Sequence, residues 1–413
     1  MTTQNRNAPA LRFPEFNGDW EEKKLGQIFK ITSGTTPLRA VNAYFENGNH
    51  FWVKTTDLNN YFITETEEKV TDLALQKTSL KKLPVGTLLI AMYGGFNQIG
   101  RTGLLKVEAG INQALSAIQP KNEIIEPYFL LLYLNHNVDD WKNFAASSRK
   151  DPNITKKDVE GFNISFPTLP EQQKIAAFLT AVDEKIQQLA KKKDLLEQYK
   201  KGVMQKIFNQ EIRFKDDNGN DFADWEEKPL SNFLFETRKR NGELKYTKQQ
   251  VLSVSGEAGI VNQIQHMGRS YAGESVHNYH IVETGDIVYT KSPLKSNPYG
   301  IVKVNKGVAG IVSTLYAVYS CKENIIGEFI DYYFEIDDNT NKYLRPLVRK
   351  GAKNDMKINN AHVLTGLISI PSIPEQRKII DFFEAMDRKI NSVNQQLEKT
   401  KEYKKGLLQQ MFV

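Results

Sequence analysis

Two stretches of the chain carry apolar residues at a seven-residue step. From Ile175 the step reaches Val182, Leu189, Leu196 and Val203, with a companion seam of Leu179, Ile186, Lys193, Lys200 and Ile207. The second stretch has Ile379, Met386, Val393, Thr400 and Leu407 beside Phe383, Ile390, Leu397, Lys404 and Met411. A narrow stripe of this kind marks a helix that pairs along its length with another helix. Thr168-Leu169-Pro170-Glu171 and Ser372-Ile373-Pro374-Glu375 precede the stripes at capping-box spacing, in which the hydroxyl accepts from a free N–H and the Glu reaches back. The pattern predicts two long helices, 169–209 and 373–413, each close to about 60 Å long at about 1.5 Å per residue. One small domain cannot cover such a stripe. The chain between the helices must also return to its start, so antiparallel pairing is the economical arrangement.

Outside the helices the pattern changes to short β-rich runs punctuated by Gly, Asn and Pro. The runs are Ile28 to Thr32, Phe51 to Lys54, Thr87 to Met92 and Leu115 to Gln119, then Ile287 to Thr290, Gly300 to Val304 and Ile311 to Tyr319. Residues 126–136 and 327–336 read as helices. The expected architecture is α+β: two similar mixed α/β modules, 1–168 and 210–372, separated by two long antiparallel helices that form a coiled-coil spacer.

The two halves are copies. Pro170-Glu171-Gln172-Gln173-Lys174-Ile175 returns as Pro374-Glu375-Gln376-Arg377-Lys378-Ile379, and Tyr199-Lys200-Lys201-Gly202 as Tyr403-Lys404-Lys405-Gly406, both 204 positions later. Asp19-Trp20-Glu21-Glu22-Lys23 reappears as Asp224-Trp225-Glu226-Glu227-Lys228, and Arg12-Phe13 as Arg213-Phe214. Between these anchors the offset drops to about 200, as Phe129 and Phe329 illustrate, so loop lengths differ while the frame is kept. A duplicated body of this design suits the reading of something bipartite.

Composition narrows the class. With 413 residues, 40% hydrophobic and 25% charged, the chain can bury sizeable cores. Its apolar runs fall far short of the roughly 20 residues that a membrane span needs, and Met1 to Ala10 lacks the apolar core of a signal peptide, so a cytoplasmic protein is expected. Cys321 is the single cysteine, which excludes an internal disulfide and a cysteine-cluster metal site; a small core side chain is its expected role. A net charge of +6 and a pI near 8.9 are compatible with a polyanionic partner.

The chain resembles the specificity subunits of type I restriction-modification systems. The resemblance rests on the Pro-Glu-Gln-[Gln/Arg]-Lys-Ile phrase after Ile164-Ser165-Phe166-Pro167 and again after Ile368-Ser369-Ile370-Pro371. The first module adds Thr32-Ser33-Gly34-Thr35-Thr36-Pro37 and Trp52-Val53-Lys54-Thr55-Thr56-Asp57-Leu58, similar to a frequent opening of such recognition domains. The second module departs from that opening, which implies a different half-site. The resemblance implies a non-catalytic subunit in which each module reads one half of a bipartite, asymmetric double-stranded DNA target. It also implies that the helices dock two methyltransferase subunits and, through them, restriction and translocase subunits. S-adenosylmethionine, ATP and Mg would sit on those partners, with no cofactor in this chain. Glu171, Gln172, Lys174, Tyr199, Glu375, Gln376, Lys378 and Tyr403 are the helix positions expected to face partners.

The residues themselves offer little catalytic chemistry. A Gly-x-x-x-x-Gly-Lys-[Ser/Thr] phosphate loop is missing. Asn297-Pro298-Tyr299 is similar to the Asn-Pro-Pro-aromatic motif of adenine methyltransferases, but it lacks the second Pro and reads as a turn. Glu21-Glu22-Lys23 and Glu226-Glu227-Lys228 satisfy half of a nuclease motif, yet their place in the repeated frame favours a structural role. His266, His277 and His280 lack a carboxylate or cysteine complement, so no metal site is expected. The competing readings are an autonomous restriction nuclease or DNA methyltransferase, and a coiled-coil scaffold without affinity for DNA.

For base and phosphate contacts the strongest candidates lie in polar loops. They are Lys54, Thr55 and Thr56; Tyr93, Gly94, Gly95, Asn97, Gln98 and Arg101; and, placed alike in the second half, Lys291, Ser292, Lys295, Asn297 and Tyr299. Arg238 and Lys239 join them. Arg149 with Lys150, and Arg349 with Lys350 and Lys353, read as phosphate clamps. Lys191 to Lys193 read as a solvated helix face. Lys193 and Lys200 fall on the seam, where they are expected to relax its packing and admit a partner.

Overall fold

The structure, a computed structural model, describes residues 8–145, 153–350 and 356–413. Its contacts divide the chain into two compact units. One is Met1–Ala190 with Gln395–Val413, and the other is Lys191–Asn394. Each unit therefore holds one module, the beginning of the helix that follows that module, and the end of the other helix.

In the first unit the apolar run Leu88–Ala91 is buried along its whole length, as a central strand covered on both faces should be. It sits in the middle of a five-stranded sheet in the order Ile31–Ser33, Leu115–Ile118, Leu88–Ala91, Thr102–Leu105, Phe62–Ile63, whose last pair is parallel. A three-stranded sheet of Glu68–Val70, His50–Val53 and Ala109–Ile111 accompanies it. The helix Pro127–His136 opens with proline at its first position, and the Glu126 carboxylate accepts from the Phe129 N–H at 2.5 Å. Glu21–Lys24 pairs with Asn163–Phe166, bringing the start of the module to the strand that leads into the long helix Leu169–Phe208.

The second unit repeats the plan with four strands, in the order Leu234–Glu236, Tyr316–Cys321, Ile287–Thr290, Val302–Val304. Glu226–Pro229 pairs with Leu367–Ile370 ahead of the second long helix, Ile373–Met411. The run Ile311 to Tyr319 is two strands and not one. Gly310–Val312 pairs with His280–Val282, and a turn closed by the Tyr316 N–H to Ser313 O bond carries the chain into the next sheet. Likewise Leu25–Ile28 forms a helical turn ahead of the strand Ile31–Ser33, where the sequence suggested strand from Ile28. Burial of the Cys321 thiol raises its pKa to about 12, which suits an unreactive packing residue.

The seams are real. In the first unit Ile175, Ala176 and Leu179 share a core with Leu407, Met411 and Phe412. In the second, Met204 and Ile207 share a core with Ile379, Ile380 and Phe383. Early residues of one helix meet late residues of the other, so the helices run antiparallel within each unit. The two helix ends also act as wedges. Phe412 packs 6.3 Å from Trp20 and 5.4 Å from Phe129, and Phe208 lies 6.3 Å from Trp225 and 5.4 Å from Phe329. Truncating the buried Phe412 costs about 3–5 kcal/mol, and truncating the half-buried Phe208 costs less.

Candidate nucleic-acid interface

The junction between module and helix is built the same way twice. Arg12 donates through Nε and Nη2 to the two oxygens of Glu171, both at 2.7 Å. Arg213 does the same to Glu375 at 3.1 and 2.8 Å. The hydrogen bond to Glu171 raises the Arg12 pKa further, against the effect of burial. Gln172 is wholly buried and uses both ends of its amide: Nε2 donates to Pro167 O and Ile124 O, and Oε1 accepts from the Glu126 N–H. Gln376 repeats this with Pro371 O, Asn324 O and the Ile326 N–H. The Glu carboxylates thus turn to arginine and not back to the helix cap. The Pro-Glu-Gln phrase is accounted for as the staple of module to helix, and Glu171, Gln172, Glu375 and Gln376 offer no surface to a partner. Lys174 pairs with Glu15 and Lys378 with Asp217, so both stay at the surface but engaged. Tyr199 and Tyr403 are exposed at equivalent positions.

Lys200 and its copy Lys404 are anchored, which corrects the expectation that Lys200 loosens the seam; among the described residues Lys193 meets only Glu197 of its own helix, at 3.8 Å. The Lys404 ammonium lies 2.5 Å from Asp183, whose other oxygen accepts from the Tyr128 hydroxyl. Lys200 lies 2.7 Å from Asp387 and 2.9 Å from Glu335, and Asp387 accepts from the Tyr332 hydroxyl at 2.9 Å. Sequence reasoning missed Arg12, Tyr128, Asp183, Arg213, Tyr332 and Asp387. The signal was available, because Asp183 and Asp387 stand at the same 204-residue offset as Lys200 and Lys404.

At one end of the first module several turns converge. The Thr35 N–H donates to Ile111 O, the Asn112 N–H to Val53 O and the Met92 N–H to Ala114 O, so the loops that follow Ser33, Val53, Ala91 and Ile111 share that end. Thr56, Tyr93, Gly94, Phe96 and Asn97 are exposed there; Thr55 and Gln98 are half-buried, and Gly95 is buried. Arg101 is not free to read a base: Nη1 holds Gln98 Oε1 at 2.8 Å and Nη2 holds Leu58 O at 2.7 Å, tying two of the loops together. Lys54 is neutralised by Glu67 at 2.8 Å and Glu68 at 2.6 Å. Burial pulls its pKa down, but the hydrogen bonds to these carboxylates outweigh burial and the net shift is upward.

The corresponding end of the second module gathers the segments after Glu236 and Thr290 and the turn before Tyr316, as the pairs Glu236 with Tyr319 and Thr290 with Tyr316 require. Arg238 keeps 83% of its side chain exposed, and Lys239, Ser292 and Lys295 are exposed as well. Lys291 is half-buried, and burial lowers its pKa. Asn297 is only 7% exposed and donates to Asp337 at 2.6 Å, while Tyr299 packs against the core and its carbonyl accepts from the Tyr289 hydroxyl. Both are scaffold rather than contact surface, because the Asn297 amide is turned to the helix Asp337–Leu344 and Tyr299 is packed on the core. Beneath this end His280 is 3% exposed. Its Nδ1 has no hydrogen-bond partner among the described residues, and burial, aided by Arg240, lowers its pKa to about 4. Arg149, Lys150 and Lys353 lie outside the described residues. Arg349 and Lys350 form a short strand paired with Met356–Lys357. Among the described residues no group of three or more His, Cys, Asp or Glu could hold a metal ion, and no helix is long and apolar enough to cross a membrane.

Each unit thus staples a loop-bearing module to a long helix by the same contacts, with different side chains at the two loop ends. Residues 17–198 match the family described as type I restriction modification DNA specificity domain. The MjaIX specificity subunit of Methanocaldococcus jannaschii is 26% identical over 227 residues, 52% of each chain. The EcoR124I/EcoR124II specificity subunit of Escherichia coli is 26% identical over 42% of this chain and 43% of its own. The chain thus spans about half the length of these two relatives, whereas the putative MjaX specificity subunit of M. jannaschii aligns over 98% of this chain and 95% of its own at 24% identity. The fold is that of the type I restriction-modification S subunit from M. genitalium, with TM-score 0.58, 13% identity and 98% and 99% of the two chains covered. A second solved chain, from work on complex assembly and conformational transition of the type I R-M system, superposes with TM-score 0.55 at 16% identity over 94% and 95% of the chains. The chain is thus similar to type I restriction-modification specificity subunits in sequence, with the family match confined to residues 17–198, and in fold over nearly its whole length.

Proposed function

We propose that this chain is the non-catalytic, DNA-reading subunit of a type I restriction-modification complex, each module reading one half of a bipartite duplex target across an unread gap. The observation that carries the reading is the contrast between the two kinds of surface. The staples Arg12 with Glu171 and Arg213 with Glu375 are the same, while the loop ends differ: Tyr93, Phe96 and Asn97 in one, Arg238, Lys239, Ser292 and Lys295 in the other. A protein that reads two unlike half-sites needs one frame and two unlike loop sets. The exposed cations contact phosphate and the neutral polar groups contact base edges. Arg149, Lys150, Arg349, Lys350 and Lys353 extend the phosphate-facing set.

The helices fix the gap between half-sites and present Tyr199 and Tyr403, with the flanking exposed lysines, to two methyltransferase subunits in the cytoplasm. Those subunits supply S-adenosylmethionine, and the restriction subunits joined to them supply ATP- and Mg-dependent chemistry. The test is to co-express the chain with its methyltransferase partner and map methylated adenines across a genome at single-base resolution. A single bipartite motif with a fixed gap, lengthened without change of half-sites when heptads are added within residues 180–205, is the expected result. Methylation unaltered by deleting the chain would overturn the reading.

A further inference from the structure

The loops Met92–Ile99 and Lys291–Tyr299 hold the same place in the two modules and share almost no sequence, yet both end on glycine, at Gly100 and Gly300. Each loop leaves the central strand of its sheet and returns to it through a hydrogen-bonded neck. In the first, the Ala91 N–H donates to Arg101 O at 2.8 Å and the Gly100 N–H to Ala91 O at 3.0 Å. In the second, the Thr290 N–H donates to Ile301 O at 2.9 Å and the Ile301 N–H to Thr290 Oγ1 at 3.2 Å.

Both glycines adopt a positive φ, +79° and +95°, which side-chain-bearing residues rarely take. Neither has room for a side chain. A Cβ on Gly100 would stand 2.2 Å from Cδ1 of Trp141, a wholly buried ring, and one on Gly300 would stand 2.0 Å from Thr290 O. The obstacles are unrelated, one an indole and the other a backbone carbonyl. What the two necks have in common is the need for the chain to double back in contact with its own sheet.

We infer that Gly100 and Gly300 are positioning residues for target recognition, fixing the height and direction at which each loop meets its half-site. Trp141 is the backstop of the first. The inference rests on the DNA-reading function proposed above. In the first module the neck continues into Arg101, whose guanidinium ties the loop to Leu58 O, so a displaced Gly100 also shifts the loop of Lys54 to Asp57 relative to Tyr93 and Asn97. In the second, Asn297 and Tyr299 lock the returning limb, leaving Ser292 to Ser296 as the segment that the neck aims.

The experiment uses the complex of this chain with its methyltransferase partner and selection from a randomised duplex library, read by sequencing. Gly100→Ala is expected to flatten base preference in the half-site of the first module by about tenfold, the scale of one lost base contact, while the other half-site keeps its profile. Gly300→Ala should give the mirror image. Trp141→Phe, which keeps an aromatic ring in the core but removes the indole Nε1 and fused ring that help to back Gly100, should relax the first half-site alone and stands in should Gly100→Ala fail to fold. A role in stability alone would lower binding to every sequence and leave both preference profiles intact, and that outcome overturns the inference. Equal loss at both half-sites overturns it too. If the unsubstituted complex selects no sequence, the DNA-reading function itself fails, a result distinct from either.

Discussion

Lys404→Met should destabilise its unit far more than Lys200→Met destabilises the other, although the two lysines are copies. The difference follows from what each leaves behind. Asp183 has 9% of its side chain exposed, and losing Lys404 leaves its carboxylate with the Tyr128 hydroxyl in an apolar surround that includes Leu179 and Leu407. Removing one partner of a buried pair costs about 3–5 kcal/mol, and the 20% exposure of Lys404 argues for the lower end, about 3 kcal/mol. Around Lys200 the carboxylates of Glu335 and Asp387 are 38% and 36% exposed, so water resolvates them and the loss is about 1 kcal/mol. Amide hydrogen exchange followed by mass spectrometry resolves the two units. Exchange in peptides from residues 169–190 and 395–411 should accelerate by about two orders of magnitude in Lys404→Met. Adding Asp183→Asn should restore most of the protection, since a neutral pair no longer strands a charge. Equal acceleration for the two lysine variants, or a double variant as labile as the single, would refute the reasoning.

Two further expectations concern pH and salt. His280 has a pKa near 4 in the fold against about 6.5 unfolded, so the unfolded chain binds the extra proton between those values and stability rises with pH there. The second unit should therefore lose up to about 3 kcal/mol as pH falls from about 6.5 to about 4, and denaturation midpoints of His280→Gln should not show that loss. For duplex binding by the assembled complex, Arg238→Ala and Lys295→Ala should each reduce the slope of log affinity against log salt by about 1, whereas Arg101→Ala should leave the slope unchanged, because that guanidinium is held by Gln98 and Leu58; a reduced slope for Arg101→Ala would return it to the phosphate-contacting set.

The long helices and the duplication were legible because both are periodic, and period survives divergence. The heptad seams of Ile175 and Leu179 face inward as the spacing requires, with Ile175, Leu179, Leu189 and Ile207 buried and Val182, Ile186, Leu196 and Val203 half-buried. What spacing cannot carry is the partner of a polar residue. Glu171 and Gln172 read as surface groups of a helix start, yet they face Arg12 and Ile124, 159 and 48 residues away. Arg101 and Asn297 have the side chains of base readers, but the fold turns them to Leu58 O and to the Asp337 carboxylate, 43 and 40 residues away. The break of Ile311 to Tyr319 into two strands was hidden for a similar reason: Ser313-Thr314 suits a strand by composition and a turn by its hydroxyls.

The interleaving of the two units sets an order of events at the ribosome. The unit Lys191–Asn394 is continuous, so all of its residues emerge together. The other requires Gln395–Val413, made only after the whole of that unit, to close over Trp20 and Phe129. At about 5–20 residues per second, the roughly 200 residues in between delay that closure by about 10–40 s. During this interval the older half of the nascent chain carries an open aromatic cleft shaped for Phe412, and the phenylalanine that arrives first is its copy, Phe208.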